Sequence, residues 1–178
     1  MADRSVRLAR TPDVDDLAAV QVAAWRAAYD GVLPSVVLDS LDPSDLALEW
    51  ARAILTPPSG AYRVLVALEG DRVVGYAATS PTSDPDADPA TEGELVALAV
   101  APDAQRRGHG SRLLAAAADY LAGDGFTGAV TWFPAADEAR RAFLESAGWG
   151  PDGAFRELDI DADAGLTVRE VRLVTALA

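Results

Sequence analysis

Leu95-Val96-Ala97-Leu98-Ala99-Val100, Ala101-Pro102-Asp103-Ala104, Gln105-Arg106-Arg107-Gly108-His109-Gly110 and Ser111-Arg112-Leu113-Leu114 follow one another without a break, and the rest of the chain is organised around them. The first block is a continuous apolar run closed by a proline, the pattern of a buried strand. Beyond the glycines, Leu113, Leu114, Ala117 and Leu121 recur at helical spacing among strong helix formers. The reading is strand, short loop, helix. Two glycines separated by one residue at a helix entrance let the backbone approach a ligand with no Cβ in the way. The free N–H groups of the first turn then point outward, with the positive end of the helix dipole behind them. That arrangement binds phosphate. Arg106, Arg107 and Arg112 add cationic reach on the same turn.

The residues narrow the phosphate ligand. A Walker loop ends in Gly-Lys-Ser/Thr, but His109 and Gly110 follow Gly108 and the chain has no lysine. The dinucleotide fingerprint needs a third glycine where Leu113 stands. Gln105 to Gly110 instead resembles the Gln/Arg-x-x-Gly-x-Gly/Ala loop with which the GNAT superfamily of N-acetyltransferases holds the pyrophosphate of acyl-CoA. Six residues alone also suit a plain glycine-eased turn, so the flanking segments carry weight.

At 178 residues the chain has the size of one domain, residues 1–178, with length enough for a real core. Half of it is apolar and the mean hydropathy is +0.08, which argues against disorder. No apolar stretch reaches the roughly 20 residues that span a bilayer. The N-terminus, Met1 to Ser5, lacks a basic-then-apolar leader pattern, so the expectation is a soluble cytoplasmic protein. Without cysteine there are no disulfides, no thiol catalysis and no thiolate metal site, and no metal is expected. A net charge of −13 argues against nucleic-acid or anionic-membrane partners and favours a cationic acceptor.

Taken in order, Val6 to Ala9 reads as a strand, and Thr11-Pro12-Asp13 as a helix start with Thr11 as cap. Gly31 and Pro34 end that helix, and Asp45 to Leu55 forms a second. Trp25, Tyr29 and Trp50 read as packing aromatics, and Trp25 and Tyr29 are also candidate substrate contacts. Tyr62 to Leu68 and Arg72 to Thr79 form a hairpin about Glu69-Gly70-Asp71. Ser80 to Thr91 is a polar loop. The strand Glu94 to Val100 and the helix Gly108 to Leu121 follow. Gly128 to Phe133 is a strand, Asp137 to Ser146 a helix, and Val168 to Val174 a last strand. Antiparallel strands, then a β-α-β unit, then helix and strand, predict an α/β (α+β) domain with a mixed central sheet flanked by helices.

That order also resembles a GNAT domain. Arg140 to Trp149 is similar to the family's late Tyr-Glu-x-x-Gly-Phe/Trp signature, and Asp137 stands where many members have an Asn that meets the cofactor. Trp25-Arg26-Ala27-Ala28-Tyr29-Asp30-Gly31-Val32-Leu33-Pro34 is similar to the Trp-x-x-x-Tyr-x-Gly-x-x-Pro opening of one branch. The resemblance implies a GNAT-like fold whose central strands splay apart, with pantetheine lying in the opening as an added strand. It implies acetyl-CoA, with main-chain contacts from Leu98 and Val100. Gln105, Arg106, Arg107, Gly108, His109, Gly110, Ser111 and Asp137 would complete the cofactor site.

The implied reaction is direct acetyl transfer to a primary amine of a small molecule or peptide. The attacking amine must lose a proton, for which Glu94 or Glu92, at the start of the central strand, is the candidate base. The Val100 N–H is the candidate donor to the developing oxyanion. His109 has imidazole chemistry but stands at the variable position between the glycines. The tyrosine that protonates the departing thiolate in the family maps onto Leu144, which cannot donate. Another hydroxyl (Ser146, Tyr120 or Tyr29), a water, or no acid at all would serve in its place. The alternative is therefore a catalytically weak acyl-CoA-binding sensor or interaction module. The sequence is compatible with a homodimer.

Overall fold

The computed structural model describes residues 4–161 and 165–178. Met1 to Asp3, part of the N-terminal stretch read above, lie outside it. In chain order the elements are β1 (Arg4–Leu8), α1 (Val14–Tyr29), α2 (Ser35–Asp39), α3 (Pro43–Leu55), β2 (Arg63–Glu69), β3 (Arg72–Pro81) and β4 (Glu92–Val100). Then come α4 (His109–Gly123), β5 (Gly128–Pro134), α5 (Glu138–Ser146), β6 (Gly150–Asp161) and β7 (Leu166–Ala176).

The seven strands form one mixed sheet in the order β1-β2-β3-β4-β5-β7-β6. Among the described residues β4 and β5 are the strand pair that runs parallel, joined by α4 as crossover. Leu113, Leu114, Ala117 and Leu121 are all buried, as the helical spacing predicts, and α4 lies against one face of the sheet. Gly93 shows how closely: a Cβ there would come within 2.5 Å of Leu121 Cδ2. The opposite face carries α1 and α3, where Leu17 and Val20 join the core and Trp50 meets Tyr76 edge-on at 4.9 Å.

Several elements depart from the expectations. Thr11 does not cap the first helix. Asp13 stands at the N-cap but makes no side-chain bond into the helix; its carboxylate turns back, accepting from the Arg10 N–H at 2.7 Å and from both arms of the Arg7 guanidinium. The Arg7 hydrogen bond holds the Asp13 carboxyl below the usual carboxylate range, against the upward push of burial. Ser80 and Pro81 extend β3 rather than opening the loop. The strand β6 was not expected at all. It pairs antiparallel with β7, with Leu158 opposite Val168 and Arg156 opposite Glu170.

The loop between β3 and β4 is fastened rather than loose. Asp84 accepts from Arg172 of β7 at 2.6 Å, and the same guanidinium holds Asp152 of β6 at 2.6 Å. Arg172 and Arg156 also lie over the Trp132 ring, at 5.5 and 4.4 Å from its centroid.

Candidate functional site

The site begins where the central strands part. The strands β4 and β5 pair only at Glu92–Gly128, Gly93–Ala129 and Glu94–Val130. Thr131 Oγ1 still reaches the Leu95 carbonyl at 2.8 Å; past that bond the two strands share no register. A bulge in β4 contributes, since Ala78 pairs with Ala97 while Thr79 pairs with Leu95, leaving Val96 unpaired and half exposed. The splayed centre expected from the family resemblance is present.

Main-chain groups line this opening. Ala101 donates to the Val74 carbonyl at 2.8 Å, and in an antiparallel ladder alternate residues turn their N–H and C=O groups to opposite sides. Leu98 and Val100 therefore face away from β3, toward the gap. Both of their carbonyls are met by side chains: Arg140 Nη2 donates to Leu98 at 2.7 Å and Gln105 Nε2 to Val100 at 3.3 Å. Their N–H groups have no strand beside them. This is a sheet edge inside the protein, the kind an extended ligand completes.

The loop Gln105 to Ser111 closes one end. The first bond of α4 runs from the Arg112 N–H to the Gly108 carbonyl at 3.2 Å, so the N–H groups of His109, Gly110 and Ser111 lie outside the helical ladder. Gly108, at φ +83°, is the left-handed residue before the helix, and Arg106 shares that conformation at φ +62° without being glycine. Gly110 is different. A Cβ there meets Phe143 Cζ at an ordinary 3.5 Å, which fits Gly or Ala. A groove of about 470 Å³ continues from Ser111 between α4 and α5 to Trp149.

The loop's side chains do not all reach outward. Arg107 pairs with Glu69 of β2 at 2.9 Å, and Arg4 holds both Glu69 and the Arg107 carbonyl. Arg106 and Arg112 are exposed. The His109 imidazole is 1% exposed beneath the loop, its Nε2 3.9 Å from Glu69 Oε1, with neither nitrogen hydrogen-bonded. Burial holds its pKa below the ordinary value, opposed by Glu69. Its side chain is thus turned inward, which leaves the His109 main chain, not the imidazole, for the cofactor site. Asp137 caps α5, accepting from the Arg140 N–H at 3.0 Å.

On the α1/α3 face of the sheet the opening widens into a cleft of about 710 Å³. Glu94 lies on its floor, 7% exposed, with Oε2 accepting from the Ser83 N–H at 3.2 Å and the Ser83 hydroxyl at 3.4 Å. Glu92 is not among the cleft residues; its side chain lies by Gly128, where β4 and β5 are still paired. Trp25 and Tyr29 both line the cleft and meet edge-on at 5.6 Å. Burial raises the pKa of Tyr29, and pushes that of Tyr76 up to about 12, so both phenols are neutral at physiological pH.

Leu144 is 1% exposed and belongs to the core. Of the hydroxyls that could replace the missing phenol, Ser146 is engaged with the Phe143 carbonyl at 2.6 Å and Tyr120 lies under Arg63. Tyr29 is the one in the cleft. Sequence reasoning missed Ser83 and Arg140 as parts of the site. Their roles depend on contacts 11 and 42 residues away along the chain. Among the described residues no three acidic or imidazole groups gather as a metal site, and no helix is long and apolar enough to cross a membrane.

The chain is similar to known proteins in sequence and in fold. Residues 23–149 match the family described as "Acetyltransferase (GNAT) family". The chain is 32% identical over 129 residues to the "Uncharacterized N-acetyltransferase YuaI" of Bacillus subtilis (strain 168), covering 72% of this chain and 70% of that protein. The PaiA N-acetyltransferase of Thermoplasma acidophilum, solved in complex with coenzyme A, superposes with a TM-score of 0.74 at 15% identity, over 98% of this chain and 99% of that one. The ribosomal-protein-alanine N-acetyltransferase of Brucella melitensis superposes with a TM-score of 0.73 at 22% identity, over 97% and 99%. At those identities the two structures speak for the fold.

Proposed function

The chain belongs to the GNAT acetyltransferase family, and on that premise we propose that it transfers an acetyl group from acetyl-CoA to a primary amine, by direct attack with both bound. The observation that carries this reading is the opening between β4 and β5, with a buried carboxylate on one side and free helix N–H groups at its end. The residues fit the cofactor. His109, Gly110 and Ser111 offer main-chain donors to the pyrophosphate, with the exposed Arg106 and Arg112 beside them to add charge. Leu98 and Val100 offer the unpaired strand edge to pantetheine.

Acetyl-CoA supplies the acyl group activated as a thioester. Glu94 takes the proton that the ammonium must lose, directly or through one water, with Ser83 holding the carboxylate in place. The Val100 N–H donates to the oxygen that gains charge as the amine attacks. The amine nitrogen bonds to the acyl carbon, and the C–S electron pair leaves with sulfur. Of Ser146, Tyr120 and Tyr29, it is Tyr29, neutral and lining the cleft, that is placed to protonate the sulfur. A thiol of reference pKa ~8.5 also leaves tolerably as thiolate, so the buried Leu144 does not preclude turnover.

The test is calorimetry with CoA together with free-CoA release across a panel of amines. Binding and amine-dependent release are expected. No heat at millimolar CoA would sink the cofactor assignment. Binding with no release from any amine would leave an acyl-CoA-binding module as the better description.

A further inference from the structure

The 710 Å³ cleft lies within the range of about 300–1,000 Å³ typical of small-molecule sites. Its lining is unusual for this chain. Three of the four tryptophans (Trp25, Trp50, Trp132) and three of the four tyrosines (Tyr29, Tyr62, Tyr76) face it. The mouth is apolar as well. Val32, Tyr62, Val96, Leu158 and Ile160, each 38–51% exposed, come from four separate segments and converge on it. Large apolar side chains left in water at a cleft mouth mark a surface that a ligand covers.

Charge narrows the ligand. The charged residues of the cleft lining are Glu49, Arg63, Glu94, Arg140 and Glu170. Two of them are neutralised from outside the cleft: Arg63 by Asp124, with one arm at 2.8 Å, and Glu170 by Arg156 at 2.7 Å. Glu49 and Glu94 then stand against Arg140 alone, a net charge of one negative. That matches a single ammonium. An added carboxylate would find only Arg140, whose guanidinium is directed at the Leu98 carbonyl in the β4–β5 opening. A polyamine would place extra ammonium groups, with two carboxylates at most to meet them, among aromatic and aliphatic side chains, where unpaired charge is costly.

We propose that the acceptor is a small monoamine with an apolar, aromatic-sized body and no carboxylate. Its ammonium is received at Glu94, and its body lies against the cleft aromatics and the Leu158–Ile160 lip. This rests on the acetyl-transfer reading and names the acceptor for the same site.

The experiment compares phenethylamine, phenylalanine and spermidine, each by free-CoA release with acetyl-CoA and by calorimetry against protein saturated with CoA. Phenethylamine should exceed both others in kcat/KM by about tenfold or more, the scale set by burying one large apolar group. The variant Leu158→Asp/Ile160→Asp should lose about tenfold more kcat/KM on phenethylamine than on ethylamine, because only the larger body reaches the lip. Spermidine or phenylalanine turned over faster than phenethylamine would overturn the acceptor class and leave acetyl transfer standing. An equal loss on both amines in the double variant would also overturn it. No release with any of the three amines, and no heat from phenethylamine, would overturn the proposal; the transfer reading would fall with it only if the wider amine panel also gave no release.

Discussion

Arg140 of α5 reaches across the gap between β4 and β5 and donates to the Leu98 carbonyl at 2.7 Å. The guanidinium thus occupies a main-chain acceptor that an extended ligand in the opening would need. A part-buried hydrogen bond to a charged group contributes about 1.5–3 kcal/mol. Arg140→Ala should therefore melt at a lower temperature than wild type without ligand. CoA should then raise its melting temperature more than it raises that of wild type, because no side chain competes for Leu98. A smaller rise would mean that Arg140 itself holds the cofactor.

Glu94 and Glu92 are two residues apart on one strand, yet only Glu94 lines the cleft. Glu94→Gln should cut kcat by about 10²–10⁴-fold, the usual contribution of a general base, with CoA affinity unchanged by calorimetry. Glu92→Gln should stay near the wild-type rate. A reversed order of effects would move the base to Glu92.

Arg106 holds a left-handed backbone at φ +62°, a conformation that costs a residue bearing a Cβ roughly 1–2 kcal/mol. Arg106→Gly relieves that strain, although glycine also loosens the unfolded chain. The melting temperature should be equal or higher, while CoA affinity falls about tenfold through the lost charge-assisted phosphate contact. A variant that melts lower and binds CoA unchanged would make Arg106 a structural residue.

His109 is buried with both ring nitrogens unpartnered, and burial holds its pKa below the ordinary 6.5. Unfolded chains take up the proton near pH 6.5, whereas the folded protein takes it up only at lower pH. The stability conferred by the neutral ring is therefore complete above pH 6.5. It declines as pH falls from there toward the depressed folded value. His109→Leu, which needs no hydrogen bond, should fold and should show a shallower loss of stability between pH 7.5 and pH 5.5, measured by urea unfolding. An unchanged slope would assign the acid sensitivity to other groups.

Much of the site was legible from local signals. Glycine spacing, a proline-closed apolar run and the Leu113–Leu114–Ala117–Leu121 stripe each concern neighbours a few residues apart. Such neighbours specify strand, loop and helix before any tertiary contact forms. The candidates Trp25 and Tyr29 likewise come together in the cleft because one helix carries both.

The rest was decided by contacts between distant parts of the chain. In β6, the run Phe155-Arg156-Glu157-Leu158-Asp159-Ile160 is rich in charge, and it is a strand because β7 pairs with it. Arg107 is directed to Glu69 of β2, and Glu94 to Ser83 in the loop before its own strand. The bulge at Val96 and the short β4–β5 pairing open the cleft. By itself the sequence determined which residues could bind phosphate, take a proton or pack. Which way each side chain faces depends on strand register and on partners brought close only by folding, and that the tertiary structure alone decided.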